Sequence, residues 1–182
     1  MIPVQAVMVI AIRRAVEGDL PQIGRVVVDA WRSTFAGRLP ADFLDAMSCA
    51  HQTERHRRAF ARPEARYHVA SVGDGPVIGF ASGGPSRHGD FPQENEVYAI
   101  FILEAYQRRK IGRALFGAVV DDLKGTDRKG LIVLALAKNP NLGFYEGLGG
   151  VQAMATPLTL GSETVDQFAY LWDDIPALSR NS

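Results

Sequence analysis

The stretch Glu104–Lys124, EAYQRRKIGRALFGAVVDDLK, has the spacing of a helix and the charges of one laid backwards. Ile111, Ala114, Leu115, Ala118, Val119 and Leu123 recur at three and four residues and predict one apolar stripe. Arg108, Arg109, Lys110 and Arg113 crowd its expected start, where the helix dipole is positive, while Asp121 and Asp122 sit near the negative end. In an empty protein each misplaced cation costs roughly a few tenths of a kcal/mol. Helix starts also leave backbone N–H groups unpaired, so a bound polyanion, phosphate above all, is the simplest compensation. The alternative is that the long side chains splay into water. Two other phosphate motifs fail: GRALFG (112–117) lacks the Lys-Ser/Thr of a P-loop and lies inside the helix, and no G-x-G-x-x-G opens a helix.

Working outward, EVYAIFIL (96–103) is a nearly unbroken apolar run, as expected of a central strand covered on both faces, and LIVLALA (131–137) predicts a second one. RYHVASVGDGPVIGFASGG (66–84) reads as a hairpin turning at Gly73, Asp74 and Gly75, followed by a polar loop, GGPSRHGDFPQEN (83–95). Before it, Val7–Ala15 predicts a strand, and EGDLPQIGRVVVDAWRSTF (17–35) a helix with Asp19 as N-cap and Pro21 in its first turn. LPADFLDAM (39–47) starts a further helix expected to run to about Arg62, with Arg55, Arg58 and Arg62 on one solvated face. After the second central strand, NPNLGFYEGLGG (139–150) reads as a short helix capped by Asn139, with Pro140 at its first position and Gly149–Gly150 ending it. VQAMATPLTL (151–160) and TVDQFAYLWD (164–173) read as closing strands. This order predicts an α/β fold, a mixed sheet with helices on it.

The 182 residues suit one domain without disulfides or metals to hold it. Twenty basic and twenty acidic residues leave no overall field for a polyanion, so any anion site is local, and the balance argues against nucleic acid as partner. The single cysteine, Cys49, fits a reducing, cytoplasmic setting and reads as a buried small hydrophobe rather than a nucleophile. MIPVQAVMVIAIRR (1–14) lacks a basic leader, a cleavage site and the length of a membrane span, so no membrane association is expected. His51, His56, His68 and His88 have no metal-ligand spacing, and no metal is expected.

EVYAIFILEAYQRRKIGRAL (96–115) resembles the acyl-CoA-binding motif of the GNAT family of N-acetyltransferases, a strand followed by Gln/Arg-x-x-Gly-x-Gly/Ala at a helix start. Gln107 and Gly112 fill the outer positions, whereas Lys110 replaces the first glycine and must adopt a compatible backbone. NPNLGFYEGLGG is similar to the family's Asn-containing loop and helix, with Gly150 where an aromatic residue is common. IRRAVEGDLPQIGRVVVDAWRSTFAGRLP (12–40) resembles the first strand and helices of many small bacterial members.

The resemblance implies a single N-acetyltransferase domain over residues 1–182. Its sheet would be mixed, mostly antiparallel and twisted, with about six or seven strands, about four flanking helices and a splay between the two central strands. It also implies acetyl-CoA as cosubstrate, no metal, and direct attack by a small-molecule or peptide amine in a ternary complex. A homodimer would be common among such proteins. A primary amine with a pKa near 10.4 is only about one part in two thousand neutral at pH 7, so a base or a desolvating pocket helps.

By family position, Gln107, Arg108, Arg109, Lys110, Ile111, Gly112 and Arg113 would hold the coenzyme diphosphate. The main chain of Ile100, Phe101 and Ile102 would meet the thioester oxygen, and Tyr145 would protonate the leaving thiolate. Asn139 would cap or reach the pantetheine chain. Glu96 is the candidate general base, placed by a period of two on the side of Tyr98, Ile100 and Ile102, with Glu94 as the alternative. Trp31, Phe35 and His88 would border the acceptor, both aromatics being core residues otherwise. A noncatalytic acyl-CoA sensor and an acyltransferase for longer chains are the competing readings.

Overall fold

The computed structural model describes residues 8–176. In chain order its elements are β1 (Ile10–Arg14), α1 (Leu20–Phe35), α2 (Ala41–Asp45), α3 (Cys49–Phe60), β2 (Arg66–Val72), β3 (Val77–Pro85) and β4 (Asn95–Ile102). They continue as α4 (Ile111–Lys124), β5 (Leu131–Leu136), α5 (Gly143–Gly147), β6 (Val151–Leu160) and β7 (Glu163–Trp172). The strands form one sheet ordered β1-β2-β3-β4-β5-β7-β6, and only β4 and β5 run parallel. This is the mixed, mostly antiparallel sheet that the sequence predicts. Among the described residues, no helix is long and apolar enough to cross a membrane.

Helices cover both faces. On one, Ile111, Leu115, Phe116, Val119, Val120 and Leu123 of α4 pack against Ala81, Val97 and Val133. Burying each large side chain is worth about 1.5–3 kcal/mol, far more than a misplaced cation costs, so packing decides that α4 forms. On the other face, Leu20, Ile23, Val26 and Val27 of α1 meet Tyr67, Val69 and Phe80. The α4 stripe differs from the expected one at Ala114, which is exposed, while Phe116 and Val120 are buried.

Several boundaries shift for local reasons. Helix 39–62 is two helices, because the Ser48 hydroxyl accepts from His51 N–H at 3.3 Å and starts α3 afresh. Cys49, expected in the interior, is exposed at the first position of α3, and Arg62 lies beyond that helix. Asp19 stands before α1 but makes no side-chain cap; its carboxylate binds Arg13 through two hydrogen bonds (2.7 and 2.9 Å) and Val16 N–H (2.8 Å). The first strand begins at Ile10, and Val7 lies outside the described residues. Helix 104–124 is a single 3-10 turn at Glu104–Tyr106, a loop, and then α4. The acids at its far end are paired, Asp122 with Arg14 (2.6 Å) and by a hydrogen bond with His68 (2.9 Å), and Asp121 with Lys124 (3.1 Å).

Candidate active site

β4 and β5 are parallel neighbours with one register point, Glu96 to Ile132, whereas β5 pairs β7 from Leu131 through Leu136. Beyond that point the two strands part, and a cavity of about 530 Å³ occupies the split. Leu103 N–H donates to Ile78 O on β3 at 2.9 Å. Strand alternation therefore turns the main chain of Phe101 toward β3 and that of Ile100 and Ile102 toward the cavity. Ile102 O already accepts from Gln107 Nε2 at 3.1 Å, which ties the loop before α4 to the strand.

That loop takes the conformation glycine adopts most easily. Arg108 and Lys110 have φ of 61° and 62°, a left-handed backbone that costs a residue with a Cβ roughly 1–2 kcal/mol. No side chain caps α4, and its first intrahelical bond runs from Ala114 N–H to Lys110 O at 3.1 Å. The N–H groups of Ile111, Gly112 and Arg113 precede that bond. A Cβ on Gly112 would lie 3.2 Å from Ile102 Cδ1 and 3.4 Å from Phe144, so the glycine lets α4 begin close against β4. Arg108, Lys110 and Arg113 line the cavity, and Arg113 Nε is buried with no partner. Arg109 is not on the cavity wall.

Tyr145 reaches the same cavity from α5. Its ring lies 5.1 Å from Tyr170 and 5.3 Å from Phe144, and burial, followed by the neighbouring Tyr170, pushes its hydroxyl up to about 12. It is therefore a protonated donor at any physiological pH. Asn139 lines the cavity too, but α5 starts later than expected, with Leu142 at its cap. Asn139 Oδ1 instead accepts from Asn141 N–H at 2.9 Å and caps the preceding turn. Gly150 holds its place because a Cβ there would sit 2.7 Å from the Trp172 indole, whose Nε1 donates to Leu148 O at 3.0 Å.

The acceptor-side expectations divide. Trp31 and Phe35 line the cavity, whereas His88 and Glu96 do not. Glu96 is 1% exposed, with Oε1 on Arg87 Nη2 (2.6 Å) and Oε2 on Arg87 Nε and N–H (both 3.0 Å); His88 Nε2 stands 3.4 Å away. The period-two placement fails because β4 carries a bulge: Ser82 pairs Ala99 and Gly83 pairs Val97, leaving Tyr98 extra. One inserted residue exchanges the faces, so Glu96 shares a side with Ala99 and Phe101 rather than with Ile100 and Ile102. Glu94 is engaged as well, accepting from Lys129 N–H at 2.6 Å.

Residues 28–149 match the model of the acetyltransferase (GNAT) family. The chain belongs to that family. An uncharacterized N-acetyltransferase of Bacillus subtilis, YuaI, is 28% identical over 169 residues, which cover 93% of this chain and 96% of that protein. The GNAT fold is seen again in PaiA N-acetyltransferase from Thermoplasma acidophilum, solved in complex with coenzyme A (TM-score 0.68, 19% identity, 88% of this chain and 98% of that one). Arabidopsis thaliana NAA60, solved with a bisubstrate analogue, matches at a TM-score of 0.61 and 19% identity over 90% and 97% of the two chains.

Sequence reasoning missed Arg87, whose guanidinium also lies 4.2 Å over the Tyr98 ring, and the cavity residues Thr34, Leu158 and Gln167. A polar residue inside the apolar strand 164–173 was the available signal for Gln167; nothing in the spacing marks Arg87.

Proposed function

We propose that residues 1–182 form one domain that moves an acetyl group from acetyl-CoA to an amine by direct attack within a ternary complex. One observation carries this reading: the unpaired start of α4, the open edge of β4 and the Tyr145 hydroxyl face a single cavity. The residues present fit the coenzyme, because a buried guanidinium Nε without a partner beside three free helix N–H groups is matched by an anion. Its bound thioester would supply the acetyl group.

The N–H groups of Ile111, Gly112 and Arg113, with Arg108, Lys110 and Arg113 around them, hold the diphosphate. The backbone between Ile100 and Ile102 offers a hydrogen bond where charge develops on the carbonyl oxygen. Tyr145 Oη, kept protonated by burial, donates to the departing sulfur. Trp31 and Phe35 wall the amine side and exclude water. Support for the coenzyme also comes from relatives solved with coenzyme A and with acetyl-CoA. Calorimetry with acetyl-CoA tests the assignment. Binding that weakens about tenfold or more in Arg113→Glu is expected, and no heat with the natural chain overturns it.

A further inference from the structure

We infer that the acceptor is a small, weakly basic monoamine joined to an apolar or aromatic group; the inference rests on the acetyltransferase reading of this cavity. Away from α4, the walls are Ala30, Trp31, Thr34 and Phe35 of α1, Leu158 of β6 and Gln167 of β7. The Trp31 ring centre lies 4.9 Å from that of Phe35 and 6.4 Å from that of Phe101, a surface made for a flat or aliphatic group. Among the described residues no Asp, Glu or His lines the cavity, and residues 1–7 and 177–182 contain none of the three. The charged side chains that do line it, Arg108, Lys110 and Arg113, are all cationic. A polycation would enter such a space without a counter-charge.

The same lining bears on the nucleophile. Tyr98 Oη donates to Pro85 O at 2.6 Å, and Glu96 is occupied by Arg87 outside the cavity, so no free base waits beside the amine. The amine nitrogen attacks the thioester carbon, the C–N bond forms and the C–S bond breaks. The net result moves one proton from nitrogen to the coenzyme sulfur. An amine of the α-amino type, with a pKa near 7.7–8.0, is about 230- to 420-fold richer in the neutral form at pH 7 than one of the lysine type near 10.4. A cavity without a base selects for the former.

Size follows from the roof. Phe35, Leu39 and Leu44 share one apolar cluster with Leu136 and Val165, and Phe43 and Leu160 pack on it. The α1–α2 connection thus rests on the β6–β7 hairpin, and an extended peptide lying between them would have to displace that packing.

Initial rates with L-phenylalaninamide, spermidine and a hexapeptide with a free N-terminus, at pH 7 and saturating acetyl-CoA, test this. We expect kcat/KM for phenylalaninamide to exceed both others by about 30-fold or more, over spermidine because of its neutral fraction and over the hexapeptide, whose amine is of the same type, because of size. Leu158→Glu should narrow the gap to spermidine about tenfold with KM for acetyl-CoA unchanged. Equal or better use of spermidine or the peptide by the natural chain overturns the inference alone, as does an unmoved ratio in Leu158→Glu. No acetylation of any amine by a chain that binds acetyl-CoA overturns the acetyltransferase reading and the inference with it.

Discussion

At the N-terminal end of β4, Glu96 is buried and every oxygen it carries is taken, by two guanidinium bonds and a backbone N–H. Asn95 beside it is also saturated, giving Nδ2 to Arg128 O and Gly130 O at 3.1 and 3.0 Å and taking Arg128 Nε at 3.2 Å. At the other end of the strand, two residues stand in left-handed conformations, the helix start has no cap, and Arg113 Nε is buried without a partner. A buried polar group with all its partners is a fastening, since its free energy is spent within the fold. One left without them is held ready for something that arrives later. Charge alone does not distinguish the two ends; satisfaction does.

The sharpest way to break this contrast is to strand the carboxylate. Arg87→Ala should destabilise the chain by about 3–5 kcal/mol in urea denaturation, because it leaves a buried charge without its cation. Normal stability with lost turnover would instead make Glu96 a working base. Tyr145→Phe sharpens the open side: kcat should fall about 100-fold, with acetyl-CoA affinity within about twofold by calorimetry.

A smaller effect comes from His56, a third member of the satisfied class, whose Nδ1 meets Tyr67 Oη at 3.0 Å. Burial first, then nearby Arg55, lowers its pKa to about 4. The folded chain keeps His56 neutral where the unfolded chain takes up a proton, so this contribution is present above pH 6.5 and is lost as pH falls toward 4. Stability should drop by roughly 2 kcal/mol between pH 7 and pH 5, measured by urea titration, and His56→Phe should flatten that slope. Lys110→Gly is the gentlest probe and carries opposite signs. Relief of the left-handed backbone should raise the melting stability of the empty chain by about 1 kcal/mol, while acetyl-CoA affinity falls several-fold.

The strand and helix order, the mixed sheet and the start of α4 were legible because they rest on periodicity and on clustered charge. The period of α4 marked Ile111, Leu115, Val119 and Leu123 of its buried face but took in the exposed Ala114 and left out Phe116 and Val120, and the reversed charges marked where that helix starts. Glu96 was misplaced because alternation assumes an unbroken pleat, and a bulge is invisible to it. The Ser48 break was hidden inside a run of good helix formers. Arg87 and Leu158 depend on which strands the sheet brings together, a relation that no local pattern carries.

The extra residue at Tyr98 makes β4 sensitive to the number of its residues more than to their kind. Excising one position between Val97 and Ala99 would roll the upstream segment half a turn against β3, driving the Glu96 carboxylate into the greasy side that α4 covers. For descendants of this chain, an in-frame loss of a single codon there is a dead end.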